Sequence, residues 1–112
     1  DWLSVTAAWF PAATPGARVG ITVSKRMARR SIDRALVKRI VRDAFRLSAA
    51  ALDGRAAAAG MRVDVSVRLK RVIGTPGDPQ RPSLAQWRRA LRADMDQMLS
   101  AVAGRLAKLL HV

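Results

Sequence analysis

The chain has 112 residues, 50% of them hydrophobic and 26% charged, a balance that supports one packed core and excludes a disordered composition. Lys and Arg number 21 against 8 acidic residues, giving a formal net charge of +13, and every acid is Asp. With no Cys and one His (His111), disulfide scaffolds and Cys-ligated zinc sites are excluded; no apolar run approaches the roughly 18 residues of a membrane span, and no signal peptide is expected.

Residues 2–10 alternate, with Leu3, Val5, Ala7 and Trp9 on one face and Trp2, Ser4, Thr6, Ala8 and Phe10 on the other, which predicts a half-buried strand. Because Trp2 already reads as strand and the chain opens on Asp1, a segment is expected upstream. Residues 11–16 (PAATPG) are turn chemistry. Residues 18–24 alternate again, and the two runs predict a hairpin. Residues 25–30 (KRMARR) are a basic connection; Ser31 is placed to cap a helix, with Asp33 in its first turn. That helix is expected from about Ile32 to a point between Leu47 and Leu52, with Gly54 as a stop and residues 53–60 as loop or frayed helix. Residues 62–70 alternate most strictly, Val63, Val65, Val67 and Leu69 facing in.

Residues 74–82 hold three of the five prolines and predict a long irregular loop. Ser83 and Gln86 match a capping box. Behind them Leu84, Trp87, Leu91, Met95, Met98, Val102, Leu106 and Leu109 recur every three or four residues, an amphipathic helix ending near His111, where fraying is expected. Strand, strand, helix, strand, helix predicts a single α+β domain over residues 1–112: a small sheet, hairpin plus a further strand, with a basic central helix and a C-terminal helix over its apolar face.

Residues 18–46 hold ten basic residues and two acids, so most of the net charge lies in about a quarter of the chain. On a helical wheel Ile32, Leu36, Val37, Ile40, Val41, Ala44 and Phe45 share one arc. Arg34, Lys38, Arg42 and Arg46 step by four along the opposite side, with Arg39 beside them. An ordinary solvated face pairs opposite charges at that spacing; here each step sets like on like, at a cost of about 0.2–0.5 kcal/mol. A polyanion would relieve it. Arg offers a planar donor fork suited to phosphate, so nucleic acid is the expected partner. Small outward residues on the strands (Gly20, Thr22, Ser24) leave a flat surface that Arg68 and Lys70 edge. Trp2 and Phe10 read either as stacking platforms or as cover for a partner element. Trp9 and Trp87 have core parity.

Hydrolytic chemistry has little to work with. The eight Asp are scattered, Asp94 and Asp96 point about 200° apart on a helix, and no metal-binding His pair, phosphate-cradling Gly loop or nucleophile elbow is present. Asp33 and Asp43 fit helix-end and ion-pair roles. The chain reads as a binder, with no catalytic residue and no metal ligand.

The segment VGITVSKRMARRSIDRALVKRIVRDAFR (residues 19–46) resembles the signature region of the protein subunit of bacterial ribonuclease P. Val23, Ser24, Lys25 and Arg26 match its strand end, and Arg29 and Arg30 match the connection of proteobacterial members. Arg34, Lys38, Arg39, Arg42, Phe45 and Arg46 match its helix (R-N-R-x-K-R-x-x-R-E-x-F-R) without a gap. Asp43 stands where Glu is usual, while Ala35 and Leu36 replace Asn and Arg. The resemblance covers roughly residues 2–72, the last helix agreeing in placement only, and the family's N-terminal helix has no counterpart before Asp1. It implies the family's fold with a left-handed crossover, against the usual rule. It further implies a cytoplasmic protein bound to a large catalytic RNA that cleaves precursor tRNA with Mg²⁺ held mainly by RNA.

The resulting expectation is that Lys25, Arg26, Arg29, Arg30, Arg34, Lys38, Arg39, Arg42 and Arg46 contact the RNA subunit. Phe10, Thr22, Ser24 and Arg68 are expected at the 5′ leader. A ribosomal or ribosome-assembly RNA binder is the alternative. A major-groove DNA reader is weaker, since the basic helix has no Asn or Gln for base edges.

Overall fold

The computed structural model describes residues 2–110; Asp1, His111 and the expectation of a fraying end at His111 lie outside them, as does the side chain of Leu109. The elements run β1 (Leu3–Pro11), β2 (Gly16–Thr22), α1 (Ser31–Ser48), α2 (Ala50–Ala58), β3 (Met61–Leu69) and α3 (Leu84–Leu110). The strictest alternation belongs to the strand that needs it most. In β3, Val63, Val65, Val67 and Leu69 are all buried while Asp64, Ser66 and Arg68 are exposed. β3 is the centre of a three-stranded sheet of order β1-β3-β2, antiparallel to β1 and parallel to β2.

The expected hairpin is therefore corrected: β1 and β2 do not pair, because β3 lies between them. Residues 11–16 lack the tight Asn-Gly type of two-residue turn. They are long enough instead to cross two strand spacings, about 10 Å, and Ala12 N–H donates to the Gly60 carbonyl at 3.2 Å on the way. The two strands whose inward residues are mostly half-buried take the edges, and the strand whose inward Val and Leu residues are fully buried takes the middle. The sheet is mixed, which the sequence pattern does not specify; the α+β class is as expected.

α1 begins without a side-chain cap: Arg30 is the N-cap in extended conformation, and Ser31 is already helical, which corrects the expected Ser31 cap. The helix breaks at Ala49 and resumes as α2 straight through Gly54, so Gly54 is no stop and residues 53–58 are not loop. A helical Gly costs about 1 kcal/mol. Here Leu52 and Ala56, buried on the same face, together with the neighbouring alanines, offset it.

α3 opens on the expected box: Gln86 N–H donates to Ser83 Oγ at 3.2 Å and Ser83 N–H to Gln86 Oε1 at 2.8 Å. Trp87, Leu91, Met95, Leu99, Val102 and Leu106 are buried. Leu99 takes the core place expected of Met98, which is half-buried, and Leu84 overhangs the first turn, exposed. On α1, Ile32 is likewise exposed rather than core, again at a helix start.

Three contacts set the helices against one another at a single sequence offset. Arg81 reaches Asp33, Asp96 accepts from the Ser48 hydroxyl, and Arg55 Nη1 donates to the Ala103 carbonyl at 3.2 Å, each pair 48 residues apart. α1 and α2, 27 helical residues between them, thus lie end to end alongside the 27-residue α3 and parallel to it. At 1.5 Å per residue that is about 40 Å, the long dimension of a body 51 × 21 × 18 Å. Carboxylates also clip helices to strand starts. Asp94 accepts the N–H groups of Trp2 (2.6 Å) and Leu3 (3.2 Å), and Asp53 accepts that of Ala17 (2.8 Å).

Candidate nucleic-acid interface

The connection between β2 and α1 folds as a compact turn because Ser24 organises it. Its carbonyl accepts the N–H groups of Met27 (3.1 Å) and Ala28 (3.0 Å), and its hydroxyl oxygen lies 3.3 Å from Met27 N. Ala28 is buried, and Met27's carbonyl accepts the N–H of buried Ile73 at 2.7 Å. With its apolar residues drawn in, the turn leaves Lys25, Arg26, Arg29 and Arg30 exposed.

Along α1 the five basic residues divide. Arg34 folds back, Nη1 donating to the carbonyls of Ala28 (3.0 Å) and Arg29 (2.9 Å), and is half-buried. It staples the connection to the helix. Lys38 is half-buried, and Arg39, Arg42 and Arg46 are exposed. Arg46 meets Asp43 at 3.5 Å, a solvent-facing pair worth at most about 1 kcal/mol. Lys25, Arg26, Arg29, Lys38, Arg39 and Arg42 have no acidic partner among the described residues.

The outward face of the sheet carries no covering helix among the described residues, and its rows follow from the register. Ser4, Arg68 and Thr22 form one row; Thr6, Ser66 and Gly20 the next; then Ala8, Asp64 and Arg18; then Phe10, Arg62 and Gly16. Thr22 and Arg68 are thus neighbours, and Ser24 lies just past the end of β2. A depression of about 310 Å³ adjoins them, lined by Ser4, Met27, Arg68, Leu69 and Lys70. Phe10 is not gathered with that group: six residues of strand, about 20 Å, separate its row from that of Arg68. Trp2 is half-buried beneath Arg71, whose guanidinium lies 4.4 Å from the ring centroid.

The pairing least visible in the sequence is Asp33 with Arg81. Nη1 and Nη2 each reach a carboxylate oxygen at 2.9 Å, Nη1 also donates to the Gly74 carbonyl at 2.8 Å, and the guanidinium stacks 5.0 Å from the Trp87 ring. The Arg81 hydrogen bonds hold the Asp33 carboxyl below its ordinary range against the opposing effect of burial, with the charges of Arg81 and Arg30 adding to the lowering. This clamp orders the loop over residues 74–82 and fixes the start of α1 beside the start of α3. Only an Asp in a first helical turn hinted at it, and that signal pointed to the helix dipole.

Each described carboxylate is spent locally: Asp33 on Arg81, Asp43 on Arg46, Asp53 on Ala17 N, Asp64 on Arg62 at 3.8 Å, Asp78 on Gln80 N, Asp94 on β1 and Asp96 on Ser48. No three His, Cys, Asp or Glu gather among the described residues, so these side chains do not fit a Mg²⁺ site. Nor is any described helix long and apolar enough to cross a membrane.

Searches of curated proteins and of solved structures gave no match. The family model described as Ribonuclease P matches residues 4–93, from β1 into the first turns of α3. The match takes in all three strands and the whole basic helix. The chain belongs to the ribonuclease P protein family, and is by that membership a protein subunit of the ribonucleoprotein that matures the 5′ end of tRNA.

Proposed function

We propose that the residue 25–30 connection and the exposed side of α1 bind the catalytic RNA of ribonuclease P, and that the bare sheet face beside them takes the 5′ leader of precursor tRNA. One observation carries the reading: the described acids are committed to local contacts while Lys25, Arg26 and Arg29 of the connection and Lys38, Arg39 and Arg42 of the helix that follows it stand without acidic partners. Such a surface opposes its own folding until phosphates neutralise it. Arg30 extends it, Arg46 closes it at the C-terminal end of α1, and Arg34 supports it by holding the connection in place.

At the leader site the Thr22 hydroxyl and the Arg68 guanidinium offer a hydrogen bond and a charge to one backbone, and Ser24 keeps its O–H to donate while its oxygen accepts from Met27. Phe10 would meet the leader only about six residues of strand further on, where it can stack a base. The scattered carboxylates leave Mg²⁺ to be held mainly by RNA, with the protein aligning the strands. A proteobacterial type and a cytoplasmic location complete the reading.

The test is reconstitution. The protein is added to a bacterial ribonuclease P RNA at low magnesium, and 5′ maturation of a precursor tRNA is timed. Stimulation is expected. Co-sedimentation with ribosomal subunits and no stimulation would contradict the reading.

A further inference from the structure

The parallel offset of α1 and α3 brings a second set of unpaired guanidinium groups next to the first. Between the two helices runs a depression of about 150 Å³ lined by Ile40, Asp43, Ala44 and Leu47 of α1 and by Arg88 and Arg92 of α3. Its floor is aliphatic, and Leu47 is 58% exposed there. Arg88 and Arg92 are exposed and have no acidic or hydrogen-bonding partner among the described residues. They stand at i,i+4, so each disfavours the other. On the opposite bank Arg39 and Arg46 lie four residues before and three after Asp43, on the same stretch of helix surface.

We propose that this groove is a second phosphate-binding site, in which Arg88 and Arg92 of α3 grip the backbone of the same RNA whose phosphates meet Arg39, Arg42 and Arg46 of α1. The inference rests on the α1 reading and extends the footprint from one helix to two. Charge decides the occupant. Arg46, Arg88 and Arg92 surround one carboxylate, Asp43, already engaged at 3.5 Å. A second copy of a chain carrying +13 is repelled by such a site, whereas a polyphosphate strand is drawn to it. Guanidinium forks suit phosphate oxygens, and the aliphatic floor accepts the apolar face of a ribose.

The experiment compares R88Q/R92Q with R42Q/R46Q in the full chain, both pairs being exposed. Affinity for a bacterial ribonuclease P RNA is measured from 50 to 400 mM monovalent salt, over which the Debye length falls from about 14 to about 5 Å, with sedimentation of each free protein alongside. For R88Q/R92Q the expected result is binding about tenfold weaker or more at moderate salt, and a log–log salt slope shallower by about 1.4–1.8 units. Unchanged affinity and slope for R88Q/R92Q, with R42Q/R46Q weakened, would overturn the groove and leave the α1 reading standing. If neither pair matters, both fall. A dimer of the free wild-type protein that R88Q/R92Q dissolves, with RNA binding unaltered, would assign the groove to a second copy and overturn the proposal.

Discussion

Replacing Arg81 by Ala tests how two helices far apart in sequence are held together. The side chain makes two 2.9 Å bonds to Asp33, one 2.8 Å bond to the Gly74 carbonyl and a stack on Trp87. The Asp33 and Arg81 side chains are only 7% and 20% exposed, so screening by water is weak. Removing the guanidinium leaves a buried carboxylate without its cation, which costs about 3–5 kcal/mol. In urea unfolding that is a large share of a stability of about 5–15 kcal/mol. The cycle of Arg81→Ala, Asp33→Ala and the double variant is expected to return a coupling of about 2–3 kcal/mol, since deleting both partners removes the stranded charge. Because Asp33's folded pKa is depressed, its contribution is present in full above the ordinary carboxylate range. It is lost as pH falls through the folded value. Asp33→Asn is therefore expected to be less stable than wild type near neutrality and to show a shallower acid decline. An Arg81→Ala loss below about 1 kcal/mol with no coupling, the range of solvent-exposed pairs, would refute the clamp.

Other expectations follow from single contacts. Gly16 has φ +133°, and an added Cβ would sit 2.9 Å from Asp53 Oδ1; Gly16→Ala should lower stability by about 1–3 kcal/mol in urea unfolding. Arg34→Ala frees the carbonyls of Ala28 and Arg29, so trypsin should cut between residues 25 and 30 faster, whereas Arg42→Ala should leave that rate unchanged. Trp87 Nε1 is buried with no hydrogen-bond partner, so Trp87→Phe should cost less in thermal unfolding than the about 3–5 kcal/mol of truncation to Ala.

Patterns carried by neighbours along the chain were readable. The alternation of β3 and the Ser83–Gln86 box need only local spacing, and the structure keeps both; of the four-residue step of Arg34, Lys38, Arg42 and Arg46, Arg42 and Arg46 stand exposed. Strand order is different in kind. β1 pairs with a strand some sixty residues on, and adjacency in the chain favoured the wrong partner. The clue was available in β3, whose inward Val63, Val65 and Val67 demand burial that an edge does not provide. Gly54 misled because its local penalty is real but smaller than the burial of Leu52 and Ala56 beside it. Arg34 shared the periodicity of the basic row, yet the Ala28 and Arg29 carbonyls of the preceding connection claimed it. No local pattern could pair Asp33 with Arg81, or set Arg88 and Arg92 beside α1. Both arise from the constant offset between helices, a tertiary fact.

The most direct measurement is the salt dependence of binding to ribonuclease P RNA for the wild type and for R39Q/R42Q/R46Q, three exposed side chains outside the core. The account expects the triple variant to fold, to bind more weakly, and to give a log–log slope shallower by about 2–3 units. A folded triple variant with the wild-type slope and undiminished affinity would contradict it.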